Sequence, residues 1–474
     1  MTIIDSLQDP AWFGRWFEGA SWDAWRVFLK ALHGHPLTPA EYAVYHAHTG
    51  RTTPPTTPAR EGWVIVGRRG GKSRIAALAA VWQATSKNWA RVLAPGEVAT
   101  LPVIAADRRQ SRVVMRYIKA FFDTPLLRQL VKGETKESIE LDNRVVIEVH
   151  TATFRAIRGY TLIGVVADEI AFWSTDETAA DPDREILNGL RPGLATTGGL
   201  LLCISSPYAK RGELWRNYRE HYGKDGDAVL VWQAATAAMN PNVDAQVIAD
   251  AYADDESSAS AEYGALFRSD LEAFVSRQTL DACVVPGRGE LPPLAGTRYK
   301  AFTDPSGGSQ DGFSLAIAHR EDKHVVIDLV RERKPPFNPS EVVAEFAEVL
   351  KAYNCARVQG DRYAGEWPRE RFREHRITYE PSEQPKSDLY GAFLPMLNSA
   401  QVELPDHAKL LGPLQRLERR TSRGGRDVID HAPGSHDDLA NAVAGAAVAV
   451  GIGARTRAMC RSYGGVQLAV GGWD

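Results

Sequence analysis

Short runs of apolar residues alternate with helix-like segments along the first half of the chain. The strand-like runs are GWVIVG, TLPVIAAD, TLIGVVADE and GGLLLCISSP. A hairpin, SIELDNRVVIEVHTA, turns at Asp142–Asn143, and a basic helical stretch, RRQSRVVMRYIKAFF, follows the second strand. Strands of a parallel sheet are buried on both faces, so they are apolar throughout rather than alternating. The pattern therefore predicts an α/β unit whose mostly parallel sheet is covered by helices on both faces.

The second half of the chain has a different order of elements. Three short strands come first, in RYKAFTDPSGG, GFSLAIAHR and HVVIDLVRE. A helix with one apolar face, SEVVAEFAEVLKAY, is followed by the strand ARVQGD and the helix KSDLYGAFLPMLNSA. The last helix begins in HDDLANAVAGAA. Three strands followed by alternating helices and strands predict a ribonuclease-H-like fold.

Changes in composition divide the chain into five predicted parts. Residues 1–50 are helical and rich in aromatic side chains, and a parallel-sheet domain spans 51–270. A Pro/Gly-rich linker is predicted at 271–296, the ribonuclease-H-like domain at 297–454 and a C-terminal tail at 455–474. No apolar run reaches the roughly 18 residues that a membrane helix needs, and the N-terminus lacks the features of a signal peptide. We therefore expect no membrane association.

A glycine-rich turn with a lysine joins the first strand to a helix, in GWVIVGRRGGKSRIAA. In a phosphate-binding loop, backbone N–H groups at a helix N-terminus surround the phosphates, a lysine reaches their oxygens and a hydroxyl binds Mg²⁺. The predicted loop comprises Gly67, Arg68, Arg69, Gly70, Gly71, Lys72 and Ser73. It departs from the strict pattern because Val66 stands where a glycine is required. An ordinary tight turn is the alternative for this stretch alone.

Acidic and hydroxyl side chains follow two later strands. Asp168 and Glu169 end TLIGVVADE, where the Asp of a Walker B strand holds Mg²⁺ and the next Glu polarises the attacking water. The order of these strand ends favours an ATP site over a solvated acidic turn. Ser205 and Ser206 end the next strand, where hydroxyl groups could sense the γ-phosphate. Arg158 precedes the acidic strand and is either an arginine finger, acting in cis or on a neighbouring subunit, or a structural arginine.

Four aspartates lie at element ends in the second half. Asp304 ends its first strand, Asp361 ends its fourth, and Asp437 and Asp438 open the last helix. Each alone fits a turn or a helix cap. In a ribonuclease-H-like fold these element ends converge, so three carboxylates there can hold two divalent metals for phosphodiester cleavage. Which of Asp437 and Asp438 binds metal is open at this stage, and His431 and His436 lie close by in the sequence.

Basic patches flank the aspartates, although the whole chain carries a net charge of −3. A slightly acidic protein that binds nucleic acid must do so through local clusters of positive charge. The predicted contacts with the DNA backbone are Arg369, Arg416, Arg419, Arg420, Arg423 and Arg426. These residues lie in two stretches, WPRERFREHR and RLERRTSRGGR. The alternative is that both stretches are ordinary charged surfaces exposed to solvent.

Taken in order along the chain, these motifs resemble those of the large terminase subunit of tailed phages. The resemblance rests on GRRGGKS, on RGYT followed by VVADEIAFW, on SSPYAKRGELW and on HDDLANA, and it extends over nearly the whole chain. It implies an ASCE-type P-loop ATPase domain followed by a ribonuclease-H-like nuclease domain. It also implies ATP-driven translocation of double-stranded DNA into a procapsid and metal-dependent endonucleolytic cleavage of concatemeric DNA.

The resemblance also implies roles for residues and partners. Lys72 and Ser73 would be Walker A residues, Asp168 and Glu169 the Walker B pair, and Arg158 a finger acting in trans. The nuclease acids would be Asp304, Asp361 and Asp437 or Asp438. The cofactors would be ATP and Mg²⁺, with Mn²⁺ as an option at the nuclease site. The partners would be DNA, a small terminase subunit, the portal protein and other copies in a ring, expected to be a pentamer, in the host cytoplasm.

Two other functions are compatible with parts of this pattern. A helicase–nuclease of DNA repair would need a second ATPase-like domain, for which the stretch between Pro207 and Gly296 is short. A scaffold with decayed sites is disfavoured because Lys72, Glu169 and the set of aspartates are intact.

Overall fold

The computed structural model describes residues 1–152, 159–173, 182–309, 311–361, 366–421, 427–431 and 436–463. These residues fall into two compact units, an N-terminal unit that ends at Asp270 and a C-terminal unit that begins at Leu271. Within the described part of the chain, no helix combines the length and the apolar character that crossing a membrane requires.

The N-terminal unit contains helices and strands in alternation. Its helices are α1 (Ile3–Ser6), α2 (Asp23–Leu32), α3 (Pro39–Thr49), α4 (Lys72–Thr85), α5 (Arg108–Phe122), α6 (Pro125–Arg128), α7 (Pro182–Ala195), α8 (Gly212–His221), α9 (Thr236–Met239), α10 (Ala245–Asp254) and α11 (Glu256–Glu262). Its strands are β1 (Glu61–Val66), β2 (Ala99–Ala105), β3 (Val131–Glu134), β4 (Ser138–Leu141), β5 (Val145–Thr151), β6 (Thr161–Leu162), β7 (Gly164–Asp168), β8 (Leu200–Ser205) and β9 (Val229–Ala234).

These strands form one sheet in the order β3-β4-β5-β2-β7-β8-β1-β9, with β6 beside β2. Strands β5, β2, β7, β8, β1 and β9 pair in parallel, and β3-β4-β5 is an antiparallel extension. The predicted mostly parallel sheet is therefore confirmed. One strand, β8, lies between β1 and β7, which is the additional strand of the ASCE arrangement. Because parallel strands end at the same edge, the residues after β1, β7 and β8 are brought together.

Helices cover both faces of this sheet, as the continuous apolar strands predict. Along β1, Val64 and Val66 point into one core, while Trp63 and Ile65 point into the other. The first core also contains α4, α5 and the aromatic N-terminal segment, and the second contains α7 and α8. Side chains that alternate between two cores explain why the strand has no polar face.

The aromatic residues near the N-terminus are a packed layer rather than a surface. Phe13, Phe17, Trp25 and Phe28 are each no more than 1% exposed. Their rings meet neighbours edge to face, for example Phe28 with Trp232 at a centroid distance of 5.6 Å. Edge-to-face pairs add to the stabilisation that comes from burying these large side chains. The layer holds α2 against the sheet.

The C-terminal unit contains the second sheet. Its helices are α12 (Arg277–Cys283), α13 (Pro339–Ala352), α14 (Trp367–Glu374), α15 (Lys386–Asn398), α16 (Ala408–Arg416) and α17 (Asp438–Tyr463). Its strands are β10 (Leu271–Ala273), β11 (Val284–Val285), β12 (Tyr299–Asp304), β13 (Phe313–Glu321), β14 (His324–Arg333), β15 (Arg357–Gly360), β16 (Thr378–Pro381), β17 (Val402–Pro405), β18 (Leu417–Thr421) and β19 (Asp427–His431).

The main sheet of this unit has the order β11-β17-β14-β13-β12-β15-β16. Strands β12, β13 and β14 are an antiparallel meander, and β15 and β16 continue in parallel from β12. The five strands from β14 to β16 therefore follow the ribonuclease-H-like order, with the first strand of the five, β12, between the second, β13, and the fourth, β15. The fold class inferred from the sequence is confirmed for both sheets.

The segment 271–296, for which the sequence predicts a linker, contains regular structure at its start. Strand β10 pairs with β18 of the hairpin β18–β19, and β11 pairs with β17. Phe274, Leu280 and Cys283 are buried in the same core as α17. Apolar residues in LEAFVSRQTLDACVV therefore pack into the C-terminal unit, and the Pro/Gly-rich stretch that follows them lacks helix or strand up to β12.

The last helix, α17, lies directly on the first strand of the meander. Many of its buried residues are alanines, and a Cβ atom at Gly445 would come within 2.3 Å of the Phe302 ring of β12. Only a glycine permits this close approach. The approach brings the start of α17, at Asp438, to the end of β12, at Asp304.

Candidate nucleotide and metal sites

The glycine-rich turn after β1 is a loop of backbone donors at the start of α4. Arg69 and Gly71 have positive φ angles of 62° and 94°. In the part of the chain that the structure describes, the N–H groups of Arg69, Gly71, Lys72 and Ser73 have no acceptor. Free N–H groups that surround a helix N-terminus form an anion-binding site. The geometry of the loop therefore fits an anion such as phosphate better than that of an ordinary tight turn.

The position of the first glycine is explained by packing around the loop. A Cβ atom at Gly67 would lie 2.3 Å from Thr236 Oγ1 and 2.8 Å from the carbonyl oxygen of Tyr263. No side chain fits there. Val66, by contrast, is the last residue of β1, and its side chain is fully buried. The glycine is needed one residue later than in the strict pattern because Thr236 and the carbonyl oxygen of Tyr263 leave no room for a side chain at residue 67.

Lys72 is held at the base of this loop. Its Nζ donates hydrogen bonds to the carbonyl oxygen of Val66 at 2.8 Å, to that of Gly67 at 3.2 Å and to Ser206 Oγ at 2.8 Å. Glu169 Oε1 lies 3.7 Å from the same nitrogen. Burial lowers the pKa of Lys72, and the negative charge of Glu169 opposes that effect. The lysine is positioned beside the carboxylates of β7.

Asp168 lies at the end of β7 with one oxygen unsatisfied. The side chain is 3% exposed, and Oδ1 has no hydrogen-bond partner among the described residues. Burial first, and the charge of Glu169 second, raise the pKa of Asp168 to about 7. A buried carboxylate without a donor is costly unless a cation or a proton joins it. The site therefore fits a bound divalent cation, and Ser73 lies in the first turn of α4.

Glu169 is fixed by the end of the neighbouring strand β8. Its Oε2 accepts hydrogen bonds from Ser205 Oγ and from the backbone N–H of Ser206, both at 3.1 Å. Its backbone is left-handed, with φ 49°, which is uncommon for a residue other than glycine and turns the chain sharply after β7. The structure thus brings Lys72, Asp168, Glu169 and both serines together, as the order of motifs predicts. Arg158 lies outside the described residues.

Three aspartates meet in the C-terminal unit. Asp304 ends β12, Asp361 follows β15, and β12 and β15 are neighbours in parallel register. Asp438 is the first residue of α17. Burial raises the pKa of Asp304 well above its usual range, and the charges of Asp438 and Asp361 raise it further. Mutual repulsion between buried carboxylates is relieved by a bound cation, so this set fits a divalent metal.

Asp437 and Asp438 have different surroundings. Asp437 accepts a hydrogen bond from Tyr390 OH at 2.7 Å and lies 3.1 Å from Lys386 Nζ. Asp438 Oδ2 accepts a hydrogen bond from the N–H of Gly312 at 2.9 Å, and burial raises its pKa to about 6. Asp437 is already neutralised by Lys386, whereas no lysine or arginine among the described residues forms an ion pair with Asp438. The geometry therefore favours Asp438 as the carboxylate beside Asp304.

A second acidic group lies on the other side of Asp437. Ligand atoms of Asp430, His431 and Asp437 lie within 4.8 Å of one another. Lys386 Nζ lies 3.1 Å from Asp430 as well as from Asp437, so a lysine already supplies positive charge to this group. His436 is exposed, and its Nδ1 lies 3.3 Å from Asp311 Oδ1.

Sequence reasoning missed three side chains around the aspartates. Asn441 donates a hydrogen bond to Asp304 Oδ2 at 2.8 Å, and Lys386 and Tyr390 hold Asp437. Asn441 follows Asp437 and Asp438 by one helical turn, so its place on the same face of α17 was available from the sequence. Lys386 and Tyr390 come from α15, and no local pattern indicates their contact with Asp437.

Several of the arginines predicted to contact DNA have acidic partners. Arg369 pairs with Glu366 at 2.8 Å, and Arg419 pairs with Asp427 at 2.8 Å. Arg420 lies 3.7 Å from Glu418. Arg416 ends α16, and Arg423 and Arg426 lie outside the described residues. The structure leaves the predicted DNA contacts of this group untested.

A more open basic surface lies on α5, a helix for which no function was predicted from the sequence. Side chains of α5 and Lys136 line a groove of about 470 Å³. Arg112 and Lys119 pair with glutamates, at 2.7 and 2.9 Å. Arg109, Arg116 and Lys136 have no ion-pair partner within the described ranges. We call these three residues and their groove the basic groove of α5.

No protein-family model and no curated protein matches this chain. The solved structures that resemble it include the large terminase of bacteriophage HK97, with 17% identity, coverage of 90% of this chain and 99% of the other, and a TM-score of 0.37. A large terminase from a thermophilic bacteriophage in complex with ADP has 12% identity, coverage of 81% and 92%, and a TM-score of 0.38.

The nuclease of the large terminase from thermophilic phage G20c, with bound magnesium, is a third similar structure. It has 19% identity, covers 37% of this chain and 96% of its own length, and gives a TM-score of 0.33. The identities and TM-scores are low, so the residue roles proposed below rest on the geometry of this chain.

Proposed function

We propose that this chain is the large subunit of a phage terminase, an ATP-driven motor for double-stranded DNA that also cleaves DNA with a divalent metal. The observation that carries the proposal is the presence of both sites in one chain. Lys72 faces Glu169 beneath a loop of free N–H groups, and Asp304 and Asp438 meet on a ribonuclease-H-like sheet. The sequence motifs occur in the order that this family has.

In the ATPase reaction, the free N–H groups of Arg69, Gly71 and Lys72 would bind the phosphates. Lys72 would exchange its hydrogen bonds with loop carbonyls and Ser206 for the phosphate oxygens. Asp168 and Ser73 would hold Mg²⁺, which neutralises charge on the β- and γ-phosphates when bound. Glu169, oriented by Ser205 and Ser206, would accept the proton of the attacking water.

In the cleavage reaction, Asp304, Asp361 and Asp438 would hold the metal. When bound, divalent cations polarise the scissile phosphate and activate water, and a two-metal arrangement is our finer proposal. Asn441 would keep the Asp304 carboxylate oriented, since its amide occupies Oδ2. Mg²⁺ is the proposed ion, with Mn²⁺ as an alternative.

The partners follow from the proposed identity. They are the small terminase subunit, the portal protein and further copies of this chain in a ring, proposed to be a pentamer, in the host cytoplasm. Arg158 is proposed to act on the ATP of a neighbouring copy. Arg369, Arg416, Arg419, Arg420, Arg423 and Arg426 stay proposed contacts with the DNA backbone, and we add the basic groove of α5.

A packaging assay tests this function directly. Purified protein, procapsids that carry the portal, ATP and linear DNA should yield DNA protected from nuclease. Lys72→Ala should abolish protection, and Asp304→Asn should retain it while losing cleavage, because the two sites lie in different units. Strand separation by the chain without procapsids, with no packaging, would instead identify a helicase–nuclease.

A further inference from the structure

Three successive carbonyl oxygens of the phosphate loop accept hydrogen bonds from side chains outside it. Thr236 Oγ1 donates to Arg68, Asn240 Nδ2 donates to Arg69 and Trp25 Nε1 donates to Gly70, each at 2.8 Å. We call Trp25, Thr236 and Asn240 the carbonyl clamp.

The donors of the clamp are themselves held in place. Trp25, on α2, is 1% exposed and Thr236, the first residue of α9, is fully buried. The N–H of Thr236 donates to the carbonyl oxygen of Tyr263 at 2.8 Å, and the N–H of Arg68 donates to that of Glu262 at 2.5 Å. The clamp and the loop are therefore bonded to the same short stretch at the end of α11.

Peptide geometry makes the clamp relevant to phosphate. In a trans peptide the carbonyl of one residue and the N–H of the next point in opposite directions. Asn240 holds the carbonyl of Arg69, and the N–H of Gly70 on the same peptide donates within the loop to the carbonyl oxygen of Gly67 at 3.2 Å, which fixes the loop between its two free donors. A carbonyl of Arg68 that is held outward by Thr236 turns the N–H of Arg69 inward, and Trp25 does the same for the N–H of Gly71. Both N–H groups are without an acceptor among the described residues. Rotation of either peptide would present a carbonyl oxygen to the phosphates instead.

We propose that Trp25, Thr236 and Asn240 are positioning residues that orient the peptide planes of the loop for phosphate binding. The inference rests on the proposed ATP site and deepens it. The clamp does not touch nucleotide, but it keeps the donors of the loop aimed before nucleotide arrives. It also accounts for the shifted glycine, because Gly67 leaves the space through which Thr236 reaches the loop.

Matched substitutions at Thr236 test the proposal. Thr236→Val keeps the shape and removes the donor, and Thr236→Ser keeps the donor. The affinities of the full chain for Mg·ADP and for pyrophosphate are measured by calorimetry. Since one neutral hydrogen bond contributes about a fivefold factor, Thr236→Val should weaken both ligands by about fivefold, while Thr236→Ser should stay within about twofold.

A second buried threonine gives the control. Thr124 is fully buried, and its Oγ1 donates to the carbonyl oxygen of Phe121 at 3.0 Å, away from the loop. Thr124→Val should lower the melting temperature about as much as Thr236→Val does, but leave both affinities unchanged. Asn240→Ala, at a partly exposed position, extends the test if Thr236→Val does not fold, and should weaken both ligands too.

The outcomes separate the clamp from the ATP site. Binding by the wild type that is lost in Lys72→Ala and unchanged in folded Thr236→Val and Asn240→Ala would overturn the clamp and leave the ATP site standing. No binding by the wild type would overturn both. Equal weakening by Thr236→Val and Thr236→Ser would reduce Thr236 to a packing role and overturn the clamp as well.

Discussion

Glu169 is the residue on which hydrolysis should depend most. Glu169→Gln keeps an oxygen that can accept from Ser205 and Ser206 but cannot take a proton. We expect ATP hydrolysis to fall by about 10²-fold or more while nucleotide binding is retained, because only proton transfer from water is lost. Steady-state hydrolysis and binding of a fluorescent ATP analogue measure the two effects. Wild-type turnover in this variant would remove Glu169 from its proposed role.

Substitution of Asp437 and of Asp438, the two adjacent aspartates at the start of α17, should affect metal binding to different extents. Asp438→Asn removes a proposed ligand, so titration calorimetry with Mn²⁺ alone should detect no binding at the nuclease site. Asp437→Asn removes the partner of Lys386 and Tyr390, and we expect weaker but measurable binding, by about tenfold. All variants carry Asp168→Asn as well, which keeps the ATP site from contributing because Asp168 is its proposed metal ligand. The reverse ranking of the two variants would assign the ligand to Asp437.

The raised pKa of Asp438 predicts how its substitution changes stability with pH. The carboxyl ionises near pH 4 when unfolded and at about 6 when folded, so the folded protein loses stability as pH rises from 4 to 6. Asn cannot ionise, so Asp438→Asn should melt a few degrees higher than wild type at pH 7.5 in EDTA. The difference should close at pH 4, where both side chains are neutral. A difference that persists at pH 4 would point to packing instead.

At the residue scale, the sequence predicted the acids but not their supports. Asp304, Asp361 and Asp438 stand at element ends, and element order alone brings them together. Lys386 and Tyr390 hold Asp437 from another helix, and that pairing depends on how α15 packs beside α17. The choice between Asp437 and Asp438 therefore needed tertiary structure, since both begin the same helix.

At the scale of elements, the basic groove of α5 is the best candidate for contact with DNA in the N-terminal unit. Each phosphate contact contributes about 0.9 to the slope of log affinity against log salt on duplex DNA. Changing Arg109, Arg116 and Lys136 to Ala should therefore flatten the slope by up to about 2.7, equally for unrelated sequences.

A triple variant with the same loss of charge controls for net charge. Arg277, Arg357 and Arg371 each pair with an acidic residue, at 2.7, 2.9 and 3.1 Å. Changing these three to Ala should leave the salt slope within about 0.5 of wild type, because paired arginines release few counterions. Equal slopes for both triple variants would show that the groove is an ordinary charged surface.

Helices and strands with a regular pattern of apolar residues were predicted well from the sequence. A run of charged residues alone did not predict secondary structure. The strands of both sheets and the hairpin turn at Asp142–Asn143 lie where the apolar pattern indicates. No helix or strand was predicted for the arginine-rich run that begins at Arg416. In the structure, Arg416 ends α16, and the next five residues form the strand β18. There Arg419 and Arg420 alternate along a strand, and a cross-strand acid, Asp427, pairs with the first.

At the scale of the whole molecule, the two larger sheets of the described chain each carry acids at the ends of their strands. The class of each sheet followed from the sequence because apolar runs and helices alternate in a fixed succession. The clamp on the phosphate loop could not be predicted this way. Two of its donors, Trp25 and Asn240, are 45 and 171 residues away in the sequence from the loop residues that they contact, and only folding brings them together.

The pairing of β10 with β18 has a practical consequence for anyone who divides the chain. A fragment that starts at residue 297 would leave β18 with an unpaired edge and uncover the pocket filled by Phe274 and Leu280. Exposed edges and apolar pockets promote association between copies. A fragment that starts at residue 271 should run as a monomer in size-exclusion chromatography, whereas the shorter one should aggregate. Equal behaviour of the two would mean that the first strand of the C-terminal unit is dispensable.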